Sequence, residues 1–403
     1  MKPRTGAEGL ELLRRDPDFS LVLGGPLFQL FRRLHLSDDA LHLARQRVIV
    51  IMAVAWLPLL VLSALDGRFA GDSVTVPFLL DVEVHVRYLF ALPLLIAAEL
   101  VVHGRMRPLV KIFLERNLIP APSLPRFGDA LASAFRLRNS LSAELLLVAF
   151  VYGIGISVVW RQYLALDAAT WYATPGTDGT VLTLAGWWYG YVSLPIFQFL
   201  LCRWYFRLFI WARFLWQVSR IDLSLIPTHP DRLAGLGFLS GVVFAFAPLA
   251  VAHGAMLAGP LANRILYLGA GFMQYKAEIA IVVIFVVVLF VGPLLVFTPQ
   301  LSRAKRIGLR EYGTLAERYV REFDAKWLRG GAPAGEPLVG SADVQSLADL
   351  ANGYEVVRSM RIAPITRDML VGLVAATGAP LVPLALTMMP LEELLKRLFG
   401  ILF

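Results

Sequence analysis

The sequence predicts an all-α polytopic membrane protein, with six transmembrane helices, a seventh apolar run and amphipathic helices outside the bilayer. Three observations carry this prediction. Of 403 residues, 57% are hydrophobic and only 17% charged; with a mean hydropathy of +0.64, the chain is too apolar for a soluble globular domain. Uncharged stretches recur at about the 18–20 residues needed to cross a hydrocarbon core of ~30 Å. The net charge of +8 gathers in alternate loops, a pattern of orientation in a bilayer and not of a nucleic-acid surface.

The opening, "MKPRTGAEGLELLRRDPDF", is polar and lacks an apolar h-region. No cleaved signal peptide is expected, and the first span serves as the insertion signal. Residues 20–36, "SLVLGGPLFQLFRRLHL", are apolar with Arg32 and Arg33 at one end, which predicts an interfacial helix. Asp38 and Asp39 stand where an N-cap belongs. Spans are expected over about Val48–Leu65, Tyr88–His103, Leu141–Trp160, Ala185–Tyr205, Leu236–Leu257 and Ile279–Thr298. Residues 369–390 form the seventh apolar run. Pro380 and Pro383 interrupt it, so it crosses as a kinked helix or re-enters; crossing is the expectation. The organisation is thus an arm at 1–46, a six-helix domain at 47–298, a helical region at 299–367, and a C-terminal segment with an amphipathic tail helix at 368–403.

Loop charge sets the expected topology. The arm up to Arg47 holds 8 Lys/Arg, residues 104–140 hold 7 and residues 299–367 hold 11. The intervening loops 66–85 and 161–184 hold one each, and 258–276 holds 2. The positive-inside rule places the first set, and the N-terminus, in the cytoplasm. Abundant alanine and a preference for arginine over lysine suggest a bacterial inner-membrane protein. Trp160, Trp171, Trp187 and Trp188 mark one interface, and Trp204, Trp211 and Trp216 the other. Past the sixth span, Leu309, Tyr312, Ala316, Tyr319, Phe323 and Trp327 repeat at helical spacing. So do Val344, Leu347, Leu350, Tyr354, Val357 and Met360, which predicts two amphipathic helices needing a covered face. With Gly237 and Gly241 as a small-xxx-small face, these suggest a homo-oligomer.

The stretch "CRWYFRLFIWARFLWQVSR" raises the functional question. At about 100° per residue, Arg203, Arg207, Arg213, Gln217 and Arg220 fall within an arc of about 140°. Such a stripe either snorkels to lipid phosphates at the interface, lines a water-filled vestibule that favours anions, or pairs with carboxylates. Glu99 and His103 share one helix face, and Glu144 begins the third span at the same depth. These groups are candidates for ion pairing or a titratable ion site. His229 and Asp231 admit a chemical role. However, Thr228-His-Pro-Asp231 also matches a helix-start signature, with Thr228 as N-cap and Asp231 three residues on. Asp81, Glu83 and His85 read as a solvated face, and His253 as a hydrogen-bonded helix contact.

The single cysteine, Cys202, excludes an intramolecular disulfide and a cysteine metal cluster. No nucleotide-binding P-loop, nucleophile elbow, metal-binding H-E-x-x-H or potassium-filter run occurs, so no catalytic residue, cofactor or metal is assigned. The expected function is a channel or transporter for small ions, anions preferred, with Arg203, Arg207, Arg213, Glu99, His103, Glu144, His229 and Asp231 as candidate binding or permeation residues. Expected partners are membrane lipids, small ions and further copies of the chain, and no nucleic acid. The alternatives are an enzyme acting on lipid headgroups, through His229 or Asp231, and a non-transporting receptor or assembly factor.

Overall fold

A computed structural model describes residues 19–33, 43–71, 73–160, 169–176 and 179–386. In chain order the helices are α1 (Pro26–Arg33), α2 (Ala44–Leu65), α3 (Val82–Glu115), α4 (Leu124–Arg138) and α5 (Leu141–Phe150, continued by a π-helical stretch Val151–Trp160). After the short hairpin β1 (Ala173–Gly176) and β2 (Gly179–Leu182), α6 runs unbroken from Leu184 to Val218. Then follow α7 (Phe238–Tyr267), α8 (Phe272–Leu328), α9 (Ala342–Arg358) and α10 (Arg367–Leu386).

Five of these helices, α2, α3, α7, α8 and α10, are long and apolar enough to span a membrane, and the bent pair α4–α5 makes up to six. The pair turns by 48° at Asn139–Ser140. There Ser140 leaves helical geometry and its Oγ accepts from the Ala143 N–H at 3.3 Å. The expected fourth span lies in α6, whose tryptophans, tyrosines and arginines keep it below the apolarity of the five. The expected seventh run is helical from Arg367 to Leu386, and its prolines tighten it to a 3₁₀ turn at Ala379–Leu381. Asp38, Asp39 and the tail helix after 386 lie outside the described residues.

The most buried span is α7, because its alanines and glycines let neighbours approach. A Cβ on Gly254 would overlap the carbonyl oxygen of Thr377 on α10. Close packing therefore falls at Gly254, not at the expected Gly237–Gly241 pair: Gly241 has open space beside it, and Gly237 abuts Asp231 on its own loop. Buried His253 on α7 holds a Leu249 carbonyl through Nδ1, 2.6 Å, and pairs with the Tyr205 hydroxyl through Nε2, 2.9 Å. Outward, α8 exposes Ile281, Ile284 and Val288 by more than half, as lipid-facing positions do.

Three further expectations change. The helix expected over 20–36 begins only at Pro26, because Gly24 and Gly25 adopt φ of +123° and +93°; residues 19–22 instead form a buried loop. The sixth span and the first amphipathic helix are one helix. Nothing in "TPQLSRAKRIGL" stops it, and at 57 residues it is about 85 Å long, far more than a bilayer needs. Its end packs along α9, with the expected stripe from Leu309 to Trp327 half-buried. Asp343 closes that hairpin by accepting from Lys326 Nζ and Trp327 Nε1 at 2.8 and 3.0 Å. Last, Asp81 is not a solvated residue but 5% exposed. It accepts from Trp171 Nε1 and Asn263 Nδ2, both at 2.8 Å, and caps α3 at Val84 N–H.

Candidate functional site: a buried arginine–glutamate network

Arg203 and Arg207 stand one turn apart on α6 and so share a face. Neither reaches an open surface: they are 6% and 4% exposed. Glu99 meets them from the middle of α3, and Arg47 from the first turn of α2. Arg207 Nη1 donates to Glu99 Oε1 at 2.8 Å, and Arg203 Nη1 lies 3.6 Å from the same oxygen. Arg47 Nη2 pairs with the other oxygen, Oε2. Arg203 also reaches Glu144 in the first turn of α5, Nη2 to Oε1, at 3.4 Å. Three guanidiniums thus bracket two carboxylates in the interior. Neighbours fix the register: Arg207 lies 4.7 Å over the Trp204 ring, and Trp204 Nε1 donates to the Leu95 carbonyl at 2.8 Å.

The loop 19–25 seals this network. Glu144 Oε2 accepts from the Leu27 N–H at 2.8 Å, binding the start of α1 to α5. Arg138 Nη1 donates to the Ser20 carbonyl at 2.6 Å while its guanidinium stacks 4.5 Å over Phe135. Ser20 Oγ accepts from the backbone of Val22 and Leu23, and lies 3.0 Å from His103 Nδ1. Phe19 stacks on Phe214 with ring centroids 4.7 Å apart. At Gly25 a Cβ would come within 2.9 Å of the Arg138 carbonyl and 3.2 Å of Glu144 Oε1, so only glycine lets the loop lie this close. The space left between Arg138, Glu144, Arg203 and Arg207 is about 10 Å³, the lower bound for one water.

The structure therefore brings together Glu99, Glu144, Arg203 and Arg207, with His103 joined through Ser20. Arg213 stands apart, facing α4, with Nη2 3.4 Å from Ser133 Oγ. His229 and Asp231 are elsewhere again, in the loop before α7. Asp231 does not act with Thr228 as a helix-start box, because α7 begins only at Phe238. Instead its Oδ1 accepts from the N–H groups of Leu233 and Gly235, at 2.7 and 3.2 Å, and its Oδ2 from Gly237 at 2.8 Å. Those bonds hold a loop in which Arg232 and Ala234 adopt φ of +55° and +53°, conformations disfavoured without glycine. Burial pushes the Asp231 carboxyl up, but the three backbone donors and His229 outweigh it and hold it below the ordinary carboxylate value.

Arg47 and Arg138 escape sequence reasoning. Both sit in cation-rich flanks, where the positive-inside rule already accounts for an arginine; only their partners, Glu99 and Ser20, distinguish them, and these are remote in sequence. Among the described residues, no three His, Cys, Asp or Glu side chains gather as a metal site. The chain matches no protein-family model, no curated protein and no solved structure.

Proposed function

We propose that the chain is a membrane channel or transporter for small ions that favours anions, with the buried network as its charge-selective element and loop 19–25 as its seal. One observation carries the reading: among the described residues, the guanidiniums of Arg47, Arg203 and Arg207 converge on the carboxylates of Glu99 and Glu144 within the helix bundle, so ionised groups of both signs are gathered away from water. Ionised groups within apolar helices are costly and mark ion pathways by default, and clustered arginines select for anions. Arg138, spent on a neutral carbonyl, adds a further cation beside the cavity. An ion does not fit the cavity as it stands, so the conducting state requires loop 19–25 to lift away at Gly24–Gly25. On the positive-inside reading this mouth opens to the cytoplasm of a bacterium.

The lipid-headgroup enzyme gains little from the geometry, since both oxygens of Asp231 are occupied by backbone donors. The deciding experiment is ion flux in proteoliposomes under chloride, nitrate and potassium gradients. Anion-favouring flux, lost when Leu21→Cys and Phe206→Cys, which line the same small cavity, are crosslinked to pin the loop, is the expected result. Absence of flux from folded, oriented protein, with and without the loop, overturns the proposal.

A further inference from the structure

A second basic site lies further along α6, and it does not depend on the transport reading. Arg126, Asp129, Ser133 and Arg136 recur at intervals of three and four residues, so they share one face of α4. That face meets Arg213 and Gln217, one turn apart on α6. Together they line an open polar groove of about 380 Å³, whose described lining includes three guanidiniums and one carboxylate. Three of its polar atoms are buried with no hydrogen-bond partner among the described residues: Arg213 Nε, Gln217 Oε1 and Asp129 Oδ1. Buried donors and acceptors are rarely left so, and Arg213 Nε supplies a fixed donor to an anion.

Arg213 also borders a second groove, between α6 and α8. This one is apolar and about 750 Å³, walled by Leu208, Phe209, Trp216, Val288, Pro293 and Val296. The two grooves share one lining residue, Arg213. One offers cationic and hydrogen-bonding groups, the other a hydrocarbon-lined channel with an indole beside the junction, where aromatic rings sit at a membrane interface. We propose that this pair of grooves is a binding site for an anionic phospholipid, its phosphodiester held by Arg126, Arg136 and Arg213 and one acyl chain lying along the α6–α8 groove. Asp129 occupies the same polar groove as an acceptor. It opposes a second negative charge and suits a headgroup bearing hydroxyls, whose protons it accepts.

The two halves make the ligand an amphiphile and not a free anion. The polar groove alone would serve inorganic phosphate equally well; the apolar groove alone would hold any lipid. A negatively charged phospholipid uses both.

The test is native mass spectrometry of the full chain in micelles titrated separately with dioleoyl phosphatidylglycerol, dioleoyl phosphatidylcholine, glycerol 3-phosphate and inorganic phosphate. The expected result is selective retention of phosphatidylglycerol. Arg126→Gln with Arg136→Gln, both on exposed side chains and so compatible with folding, should weaken that retention about 30-fold, roughly fivefold for each cation lost near a membrane surface. A chain-brominated phosphatidylglycerol should quench Trp216, read as the difference between the wild type and Trp216→Phe. Equal retention of phosphatidylcholine, or retention unchanged in the double variant, overturns the headgroup assignment. Glycerol 3-phosphate or inorganic phosphate binding as tightly as the lipid overturns the acyl-chain assignment.

Discussion

Glu99 is the keystone of the buried network, and replacing it with glutamine tests the network directly. The substitution keeps shape and volume and removes only the charge, leaving Arg47, Arg203 and Arg207 facing one another across an amide. At an effective dielectric of ~20, a carboxylate attracts a guanidinium by about 6 kcal/mol at 2.8 Å and about 5 kcal/mol at 3.6 Å, the separations Glu99 keeps from Arg207 and Arg203. Desolvation of the ions and repulsion among the arginines cancel much of this. Breaking one side of a buried pair then costs about 3–5 kcal/mol net, a large part of the ~5–15 kcal/mol that holds a typical protein folded. Unfolding in mixed detergent–denaturant micelles, followed by tryptophan emission, measures the loss. The double variant Glu99→Gln, Arg207→Gln removes one charge of each sign and should recover about 1.5 kcal/mol or more of it, as coupled neighbours do. A single-variant loss below about 1 kcal/mol, with no recovery in the double variant, would refute the claim that these charges are mutually dependent.

Two further outcomes follow from the fold. Because the folded Asp231 carboxyl lies below its ordinary value, its contribution is complete above the unfolded pKa of about 3.9 and disappears as pH falls through the folded value; Asp231→Asn should flatten the acid limb of the stability profile in that window, and an unchanged limb in matched pH titrations would count against the backbone cradle. Gly254→Ala would drive a methyl into the Thr377 carbonyl, so thermal unfolding should show a loss of about 1–3 kcal/mol from overpacking, whereas Gly241→Ala, with space beside it, should be silent.

Much of the architecture is legible because hydrocarbon thickness imposes a length on apolar runs, and a covered helix face imposes a period. The stripe from Leu309 to Trp327 is read correctly for that second reason. What resists reading is continuity and pairing. No local signal distinguishes a helix that stops at Thr298 from one that runs on to Leu328, since a polar segment of good helix formers is compatible with either. Asp81 looks solvated because its partners, Trp171 and Asn263, are remote in sequence. Arg203, Arg207, Glu99 and Glu144 are legible as unusual residues at one depth; that they close on one another, with Arg47 joining, depends on how α2, α3, α5 and α6 pack.

The arginines of α6 resolve into two chemistries on one helix. Arg203 and Arg207 lie where α2, α3 and α5 converge, and carboxylates from α3 and α5 neutralise them in part. Arg213 lies about two turns further on, beyond the reach of Glu99 and Glu144, where α4 contributes two more cations and a groove stays open. Helical periodicity puts all three in one arc but says nothing of this division, because the difference is supplied by the neighbours. Burial makes the first pair costly to hold charged without Glu99 and Glu144, so their positions are specified by the pairing. Exposure makes Arg126 and Arg136 cheap to hold charged, and the period of α4 sets them on the face that meets Arg213 and Gln217. Buried polar atoms of Arg213, Gln217 and Asp129 are left without a hydrogen bond among the described residues, and that is the reason to look for the second cluster's ligand.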